Sequence, residues 1–164
     1  MKILIIAEHD NHSIKASTLN TVAAGKKLDG ELDVLVMGSS CADAVNEAAK
    51  ISGINSVISI DGSHLENALA EEIANNAADI ASQYTHVFLP ATTFGKNIMP
   101  RLAALLDVQP ISDIIEIIDG STYKRPIYAG SCIATVKTEQ SLIIASVRTT
   151  AFDAAQIGDA GVNV

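Results

Sequence analysis

The chain has 164 residues and a net charge of −8, which defines a single acidic domain of ordinary size. It has 11 Lys and Arg against 19 Asp and Glu, so it lacks the clustered positive charge that a nucleic-acid partner requires. No apolar run approaches the length of a membrane helix, and we expect the protein not to be membrane-embedded. Two cysteines and no signal-peptide pattern predict reduced thiols and a cytoplasmic location.

Short apolar runs alternate with stretches of helical spacing through the first 119 residues. The runs are typical of strands buried on both faces, and they cover residues 2–8, 32–37, 57–60, 86–90 and 111–118. The predicted helices cover residues 14–28, 41–51, 65–84 and 95–106. This alternation predicts an α/β three-layer sandwich with an open, mostly parallel, Rossmann-like sheet. We expect the strand order 3-2-1-4-5, as in flavodoxin-like and adenine nucleotide alpha hydrolase-like folds.

The pattern changes after Asp119-Gly120-Ser121. Extended segments follow without helices between them, at residues 123–128, 131–137 and 141–148. They predict an antiparallel β meander that either extends the sheet edge or reaches a partner. The expected division is one domain at residues 1–155, with a parallel core at 1–119 and the meander at 120–155. Residues 156–164 show no periodicity and are expected to form a tail or the start of a linker.

The turn after the first strand excludes the usual dinucleotide fingerprint. Its sequence is Glu8-His9-Asp10-Asn11-His12, which has two acids and no glycine for a pyrophosphate to approach. The loop at residues 91–96 is a candidate anion site, because Thr93, Gly95 and Lys96 open a helix whose N-terminus is able to hold an anion. The favoured alternative is that Thr92 or Thr93 caps the helix and Gly95 makes the turn.

The residues indicate neither a catalytic site nor a metal site. His9 and His12 lie beside acids in a polar loop, but their spacing alone is a weak metal signal. Asp113 has no Ser, Cys or His partner at a recognisable spacing for a catalytic triad. Cys132 follows the Ala129-Gly130 hinge and is expected to pack as a small apolar residue.

Four segments give the chain its resemblance to a known family. They are the opening strand with Ala7-Glu8-His9, the helix 95–106 followed by Pro110-Ile111-Ser112-Asp113, the segment 125–130 (Arg-Pro-Ile-Tyr-Ala-Gly) and the segment 148–152 (Arg-Thr-Thr-Ala-Phe). In this order and spacing, the chain resembles the N-terminal domain of the electron transfer flavoprotein alpha family. It departs from the family at Ser131-Cys132, where Asn-Ala is common.

The resemblance implies an electron-carrier component rather than an enzyme. In that family FAD lies in a C-terminal domain with no counterpart here, so no cofactor is expected in this chain alone, and the chain is expected to be an isolated domain or a piece of a longer protein. The implied partners are the beta subunit and, for the full assembly, dehydrogenases and a membrane quinone oxidoreductase. The meander is the candidate partner interface, through Arg125, Pro126, Tyr128 and Gly130.

Two alternatives stay open from the residues. The α/β pattern is also typical of a stand-alone universal-stress-type module that binds ATP or AMP, with Thr93, Gly95 and Lys96 near a phosphate. The missing glycine-rich loop and the long meander weigh against it. A small hydrolase that uses Asp113 or a histidine is the other alternative, and no spacing supports it.

Overall fold

The computed structural model describes residues 1–158 and 161–164. Its strands are β1 (Lys2–Ile6), β2 (Glu31–Gly38), β3 (Ser56–Asp61), β4 (His86–Pro90), β5 (Ile111–Ile114), β6 (Glu116–Ile117), β7 (Thr122–Ile127), β8 (Cys132–Lys137) and β9 (Ile143–Val147). Its helices are α1 (Ala16–Gly25), α2 (Ala42–Ala48), α3 (Ala70–Ala81) and α4 (Thr93–Leu105). Within this described part, no helix is long and apolar enough to cross a membrane.

Six strands form a parallel sheet in the order β3-β2-β1-β4-β9-β5. Alternate side chains of β1 point to opposite faces, so that Ile3 and Ile5 join one apolar cluster while Leu4 and Ile6 join another. Helices α1 and α2 cover the first face, and α3 and α4 cover the second. The predicted α/β three-layer class is therefore confirmed.

The predicted strand order is wrong at one position. Strand β9 lies between β4 and β5, whereas the sequence analysis placed residues 141–148 in the antiparallel meander. All five residues of β9 are buried, which requires apolar cover on both faces. An edge meander leaves one face exposed to water, whereas a central parallel strand is covered on both faces, and β9 therefore belongs to the main sheet.

Strands β6, β7 and β8 form a separate antiparallel sheet in that order. Strand β6 comes before residue 120 and β9 comes after it, so the expected division at residues 119 and 120 does not separate the two sheets. Tyr123 of β7 anchors the small sheet, because its side chain is fully buried in the core and stacks edge-to-face on Phe88 at 6.5 Å between ring centroids.

Proline at position 126 fits the middle strand because of where its missing N–H would point. The Ile118 N–H donates to the Thr122 carbonyl, so even-numbered residues of β7 direct their backbone groups toward β6. The register would put Ile114 opposite Pro126, but β6 begins only at Glu116, so no ladder hydrogen bond is lost.

The segment from Gln156 onward is not the free tail that its sequence predicts. The Ser52 N–H donates to the Gln156 carbonyl at 2.8 Å, and the Val57 N–H donates to the Asn163 carbonyl at 2.9 Å. Asn163 also forms a parallel bridge with Ser56. Residues 159 and 160 lie outside the described residues. The described part of this segment thus covers the outer edge of β3, where unpaired backbone groups attract an extended chain.

Candidate functional site

The crevice at the carboxyl ends of β1 and β4 is where an open α/β sheet usually binds a ligand, because the strand order reverses there. Here the Glu8 carboxylate lies in it. Its Oε2 accepts hydrogen bonds from the hydroxyls of Ser17 at 2.7 Å and Thr92 at 2.9 Å. The Glu8 backbone is held as well, since its N–H donates to Thr18 Oγ1 and its carbonyl accepts from the same hydroxyl. A hydrogen-bonded carboxylate of the chain itself therefore occupies this crevice.

The predicted anion site at the start of α4 has a packing explanation. Gly95 is buried, and a Cβ built on it would lie 1.9 Å from the carbonyl oxygen of Pro90. Only glycine therefore lets the helix pass this close to the end of β4. Thr93 and Lys96 are exposed, and Thr92 donates its hydroxyl to Glu8 instead of capping the helix. Anion binding by Thr93, Gly95 and Lys96 stays a prediction.

Asp113 ties the ends of two neighbouring strands together. Its carboxylate accepts two hydrogen bonds from the Arg148 guanidinium, and the Nε–Oδ1 distance is 3.1 Å. Its backbone has a φ of 63°, and its N–H donates to the Ser146 hydroxyl at 2.9 Å. These contacts give Asp113 a structural role between β5 and β9.

Three of the four histidines contact different partners in the fold. His9 contacts the end of β2, His64 lies 3.4 Å from the Asn76 amide, and His86 hydrogen-bonds to Gly120. In the part of the chain that the structure describes, no group of three or more His, Cys, Asp or Glu is arranged to hold a metal ion.

The four predicted interface residues separate into two pairs. Tyr128 is 79% exposed at the tip of the β7–β8 hairpin, and Gly130 beside it has a φ of 91° and open space where a Cβ would lie. Arg125 instead turns inward, where its Nη2 donates to the Ser112 hydroxyl of β5 at 2.7 Å. Pro126 is buried. The tip is therefore exposed, whereas Arg125 and Pro126 pack against the rest of the domain.

Two further residues of the small sheet expose apolar side chains that the sequence did not single out. Ile133 of β8 is 54% exposed, and Ile118 at the end of β6 is 50% exposed. Cys132 is also exposed, contrary to the expectation that it packs inside. The signal in the sequence that could have indicated this exposure was the place of β8 in a predicted meander, because a strand at the edge of such a meander is covered on only one of its faces.

A shallow groove of about 490 Å³ lies between the end of α1 and the segment 151–156. Lys26, Lys27 and Phe152 line it, and the Asn20 amide fixes its wall by donating to the Phe152 carbonyl at 2.7 Å. Both lysines are exposed at its rim. The groove is wide and open, without a converging set of buried polar groups of the kind that orients a cofactor.

These features define a class of protein: a Rossmann-like α/β domain that carries a hydrogen-bonded carboxylate in its ligand crevice and an added antiparallel sheet. The electron transfer flavoprotein domain family matches residues 3–164. The chain is 48% identical over 154 residues to an electron transfer flavoprotein subunit alpha of Pseudomonas aeruginosa, covering 94% of this chain and 50% of the relative. A mitochondrial subunit alpha of Dictyostelium discoideum is 45% identical, with 93% and 45% covered, and one of Paracoccus denitrificans is 42% identical, with 96% and 51% covered.

The chain belongs to the electron transfer flavoprotein family, and the resemblance predicted from its sequence is confirmed. It spans about half the length of the relatives that it matches. The comparisons do not support the universal-stress alternative.

The family name implies a flavin, and the residues at this crevice do not fit one. A dinucleotide cofactor needs backbone amides and glycines around its pyrophosphate. The crevice offers the Glu8 carboxylate instead, which is held at 2.7 and 2.9 Å by two hydroxyls and would repel phosphates. No step of electron transfer is therefore assigned to the residues of this chain.

Proposed function

We propose that this chain is the N-terminal scaffold and subunit-pairing domain of an electron transfer flavoprotein alpha subunit. It pairs with the beta subunit, and the whole assembly holds FAD outside this chain and carries electrons from dehydrogenases to a membrane quinone oxidoreductase. The domain contributes no catalytic group. The proposal is carried by one observation: the ligand crevice is filled, whereas the antiparallel sheet presents an exposed edge and tip.

The exposed edge is strand β8. It is the last strand in the order β6-β7-β8, and within the described residues no strand pairs with its outer side. The Thr138 N–H donates to the Ser121 carbonyl, and the alternation of an antiparallel ladder then directs the backbone groups of Ile133 and Thr135 away from β7. An extended segment of a partner finds donors and acceptors there.

Side chains beside the edge favour a protein partner. Ile133 and Tyr128 expose apolar surface, and Cys132 lies between them in sequence and is also exposed. Aromatic anchors and apolar residues at the centre of a patch are typical of protein–protein interfaces. Lys137 is the last residue of β8, and its positive charge limits unselective pairing with this edge. We therefore place the beta-subunit contact on Tyr128, Gly130 and the β8 edge, with Arg125 and Pro126 behind it.

Substitution at Thr135 tests this surface. Thr135→Pro removes one outward N–H and places a ring in the path of a paired strand, while proline on an edge strand keeps the fold. We expect binding to a purified beta subunit, measured by size-exclusion chromatography and calorimetry, to weaken by about tenfold or more. The matched control is Thr135→Val, which keeps the N–H and the branched shape and should bind as the unmodified chain does.

Equal binding by the unmodified chain and Thr135→Pro would refute the edge contact. A chain that elutes as a homodimer without the beta subunit would instead assign the edge to a second copy. The flavin assignment is tested separately, by denaturing the purified chain and analysing the supernatant for FAD. Released FAD would move part of the flavin site into this domain. For the compartment, we propose the cytoplasm; three of the relatives are named mitochondrial, and cell fractionation tests the difference.

A further inference from the structure

The ring of His9 uses both of its nitrogen atoms. Its Nε2 lies 3.0 Å from the carbonyl oxygen of Met37, which only accepts, so Nε2 carries the hydrogen. Its Nδ1 accepts the backbone N–H of Asn11 at 3.0 Å. These two partners fix the neutral Nε2–H tautomer.

Asn11 extends this contact into an interlock between the β1–α1 loop and the end of β2. Its Oδ1 accepts the Ser39 N–H at 3.1 Å, and its Nδ2 donates to the Glu66 carbonyl at 3.3 Å. Its backbone has a φ of 71°, a conformation that asparagine tolerates better than most residues. A Cβ on Gly38 would lie 2.2 Å from Asn11 Oδ1 and 2.8 Å from His9 Cε1, so the two loops are in close contact.

A proton on Nδ1 does not fit this arrangement. The proton would point at the Asn11 N–H. A backbone N–H is only able to donate, so the hydrogen bond between the two groups would be lost. His86 differs, because its Nδ1 lies 2.8 Å from the Thr85 hydroxyl, which is able to donate or accept. Protonation of His86 requires only a hydroxyl rotation, whereas protonation of His9 requires the loop to move.

The charges around His9 act in the opposite direction to its burial. Glu8 and Asp10, on its own loop, favour the charged ring, and the Met37 carbonyl also stabilises it, but burial outweighs them and lowers the pKa of His9 below its usual value. Two further titratable residues, Cys41 and Asp61, belong to the elements packed beside Gly38. Their side chains hydrogen-bond to each other. Glu66 contributes only its backbone carbonyl to Asn11.

We propose that His9 is a pH-operated latch: the neutral ring holds the β1–α1 loop on the end of β2, and protonation releases the loop. The device lies at the carboxyl edge of the main sheet, beside Glu8. It does not depend on the partner surface, so it stands or falls independently of the proposed function.

Amide hydrogen exchange of the full chain between pH 7.5 and 5 tests the latch, after correction for the intrinsic exchange rate at each pH. Opening takes up one proton, so protection of the Asn11 and Ser39 amides should fall by up to about tenfold per pH unit below about 6.5. The Val87 amide, in the buried strand β4, should stay protected and thereby exclude global unfolding.

Two variants distinguish the contribution of His9 to this pH dependence from that of His12. His9→Gln supplies an acceptor and a donor without a titrating proton, so protection of Asn11 and Ser39 should no longer depend on pH. His12→Gln replaces an exposed neighbour and should keep the full pH dependence. Nitrogen-15 spectra of the unmodified chain give the tautomer directly. Protection that stays constant with pH in the unmodified chain, or that falls equally in His9→Gln, would overturn the proposal.

Discussion

The two ends of this molecule use polar groups in opposite ways. At the carboxyl edge of the main sheet, the Glu8 carboxylate accepts from Ser17 and Thr92 inside the domain. At the β8 edge of the small sheet, backbone groups point outward and Ile133 is 54% exposed. The fold thus uses its usual ligand crevice for its own cohesion and leaves its added sheet available. Under the proposed function, partner binding lies not at the position that the fold class suggests but on an element inserted between β5 and β9 in the sequence.

The largest effect is expected from the tyrosine that joins the two regions. Tyr123→Ala removes a fully buried ring that packs on Phe88, and it should lower the free energy of unfolding by about 3–5 kcal/mol. Urea titration measures the loss. Tyr128→Ala, on the same sheet but 79% exposed, should change stability by less than about 0.5 kcal/mol while weakening partner binding. If the two variants lose similar stability, the division between anchor and contact surface is incorrect.

A smaller effect is expected at the closed crevice from Gly95→Ala. The new methyl would lie 1.9 Å from the Pro90 carbonyl oxygen, so α4 must shift away from β4. We expect a loss of about 3 kcal/mol by urea titration, because overpacking against the backbone has no flexible side chain to absorb it. The control Asn97→Ala changes an exposed residue of the same helix and should be close to neutral. A fully stable Gly95→Ala would show that the helix is free to move.

Replacing the Glu8 carboxylate should lower the free energy of unfolding by less than Gly95→Ala does. Glu8→Gln keeps the size of the side chain but weakens two hydrogen bonds to a charged acceptor, with an expected loss of about 1–2 kcal/mol. Equilibrium dialysis with AMP should show no binding to the unmodified chain. AMP binding by the unmodified chain would contradict a filled crevice, and unchanged stability of Glu8→Gln would show that its hydrogen bonds contribute little.

The smallest expected effect is the pH dependence of global stability. Burial lowers the pKa of both His9 and His86, so the unfolded chain takes up protons first as the pH falls. Stability is therefore complete above about pH 6.5 and declines below it. Backbone N–H donors lower the pKa of Asp10, Asp61 and Asp119, which adds a second decline below about pH 4. Urea midpoints from pH 8 to 3 check both steps, and stability that rises between pH 7 and 5 would contradict the first.

Local patterns identified most of the elements but not their bounds. The apolar run at residues 86–90 coincides with β4, because a fully buried strand leaves a continuous apolar signal. The helix predicted from residue 65 begins only at Ala70, since a 3-10 turn covers Ser63–Leu65 and Ala68 has a φ of 47°. Helical spacing continues through this turn and does not reveal the break.

The candidate site was less accessible to sequence reasoning than the fold. The loop Glu8-His9-Asp10 lacks the dinucleotide fingerprint, and the sequence is sufficient to show this because the absence of glycine is visible in it. That Glu8 meets Thr92 was not predictable, since 84 positions separate them. In the same way, Tyr128 and Arg125 were both predicted to lie at a partner interface, whereas the inward direction of Arg125 depends on Ser112 of a different strand.

The sequence by itself determined the α/β class, the acidic domain and the family, because these depend on periodicity, composition and ordered motifs within one chain. Tertiary structure decided that β9 lies between β4 and β5, that a carboxylate fills the crevice and that the β8 edge remains open. Each of these depends on contacts between residues that are distant in sequence. Burial on both faces determined the place of β9, and the hydrogen-bond direction of an antiparallel ladder determined which backbone groups face solvent.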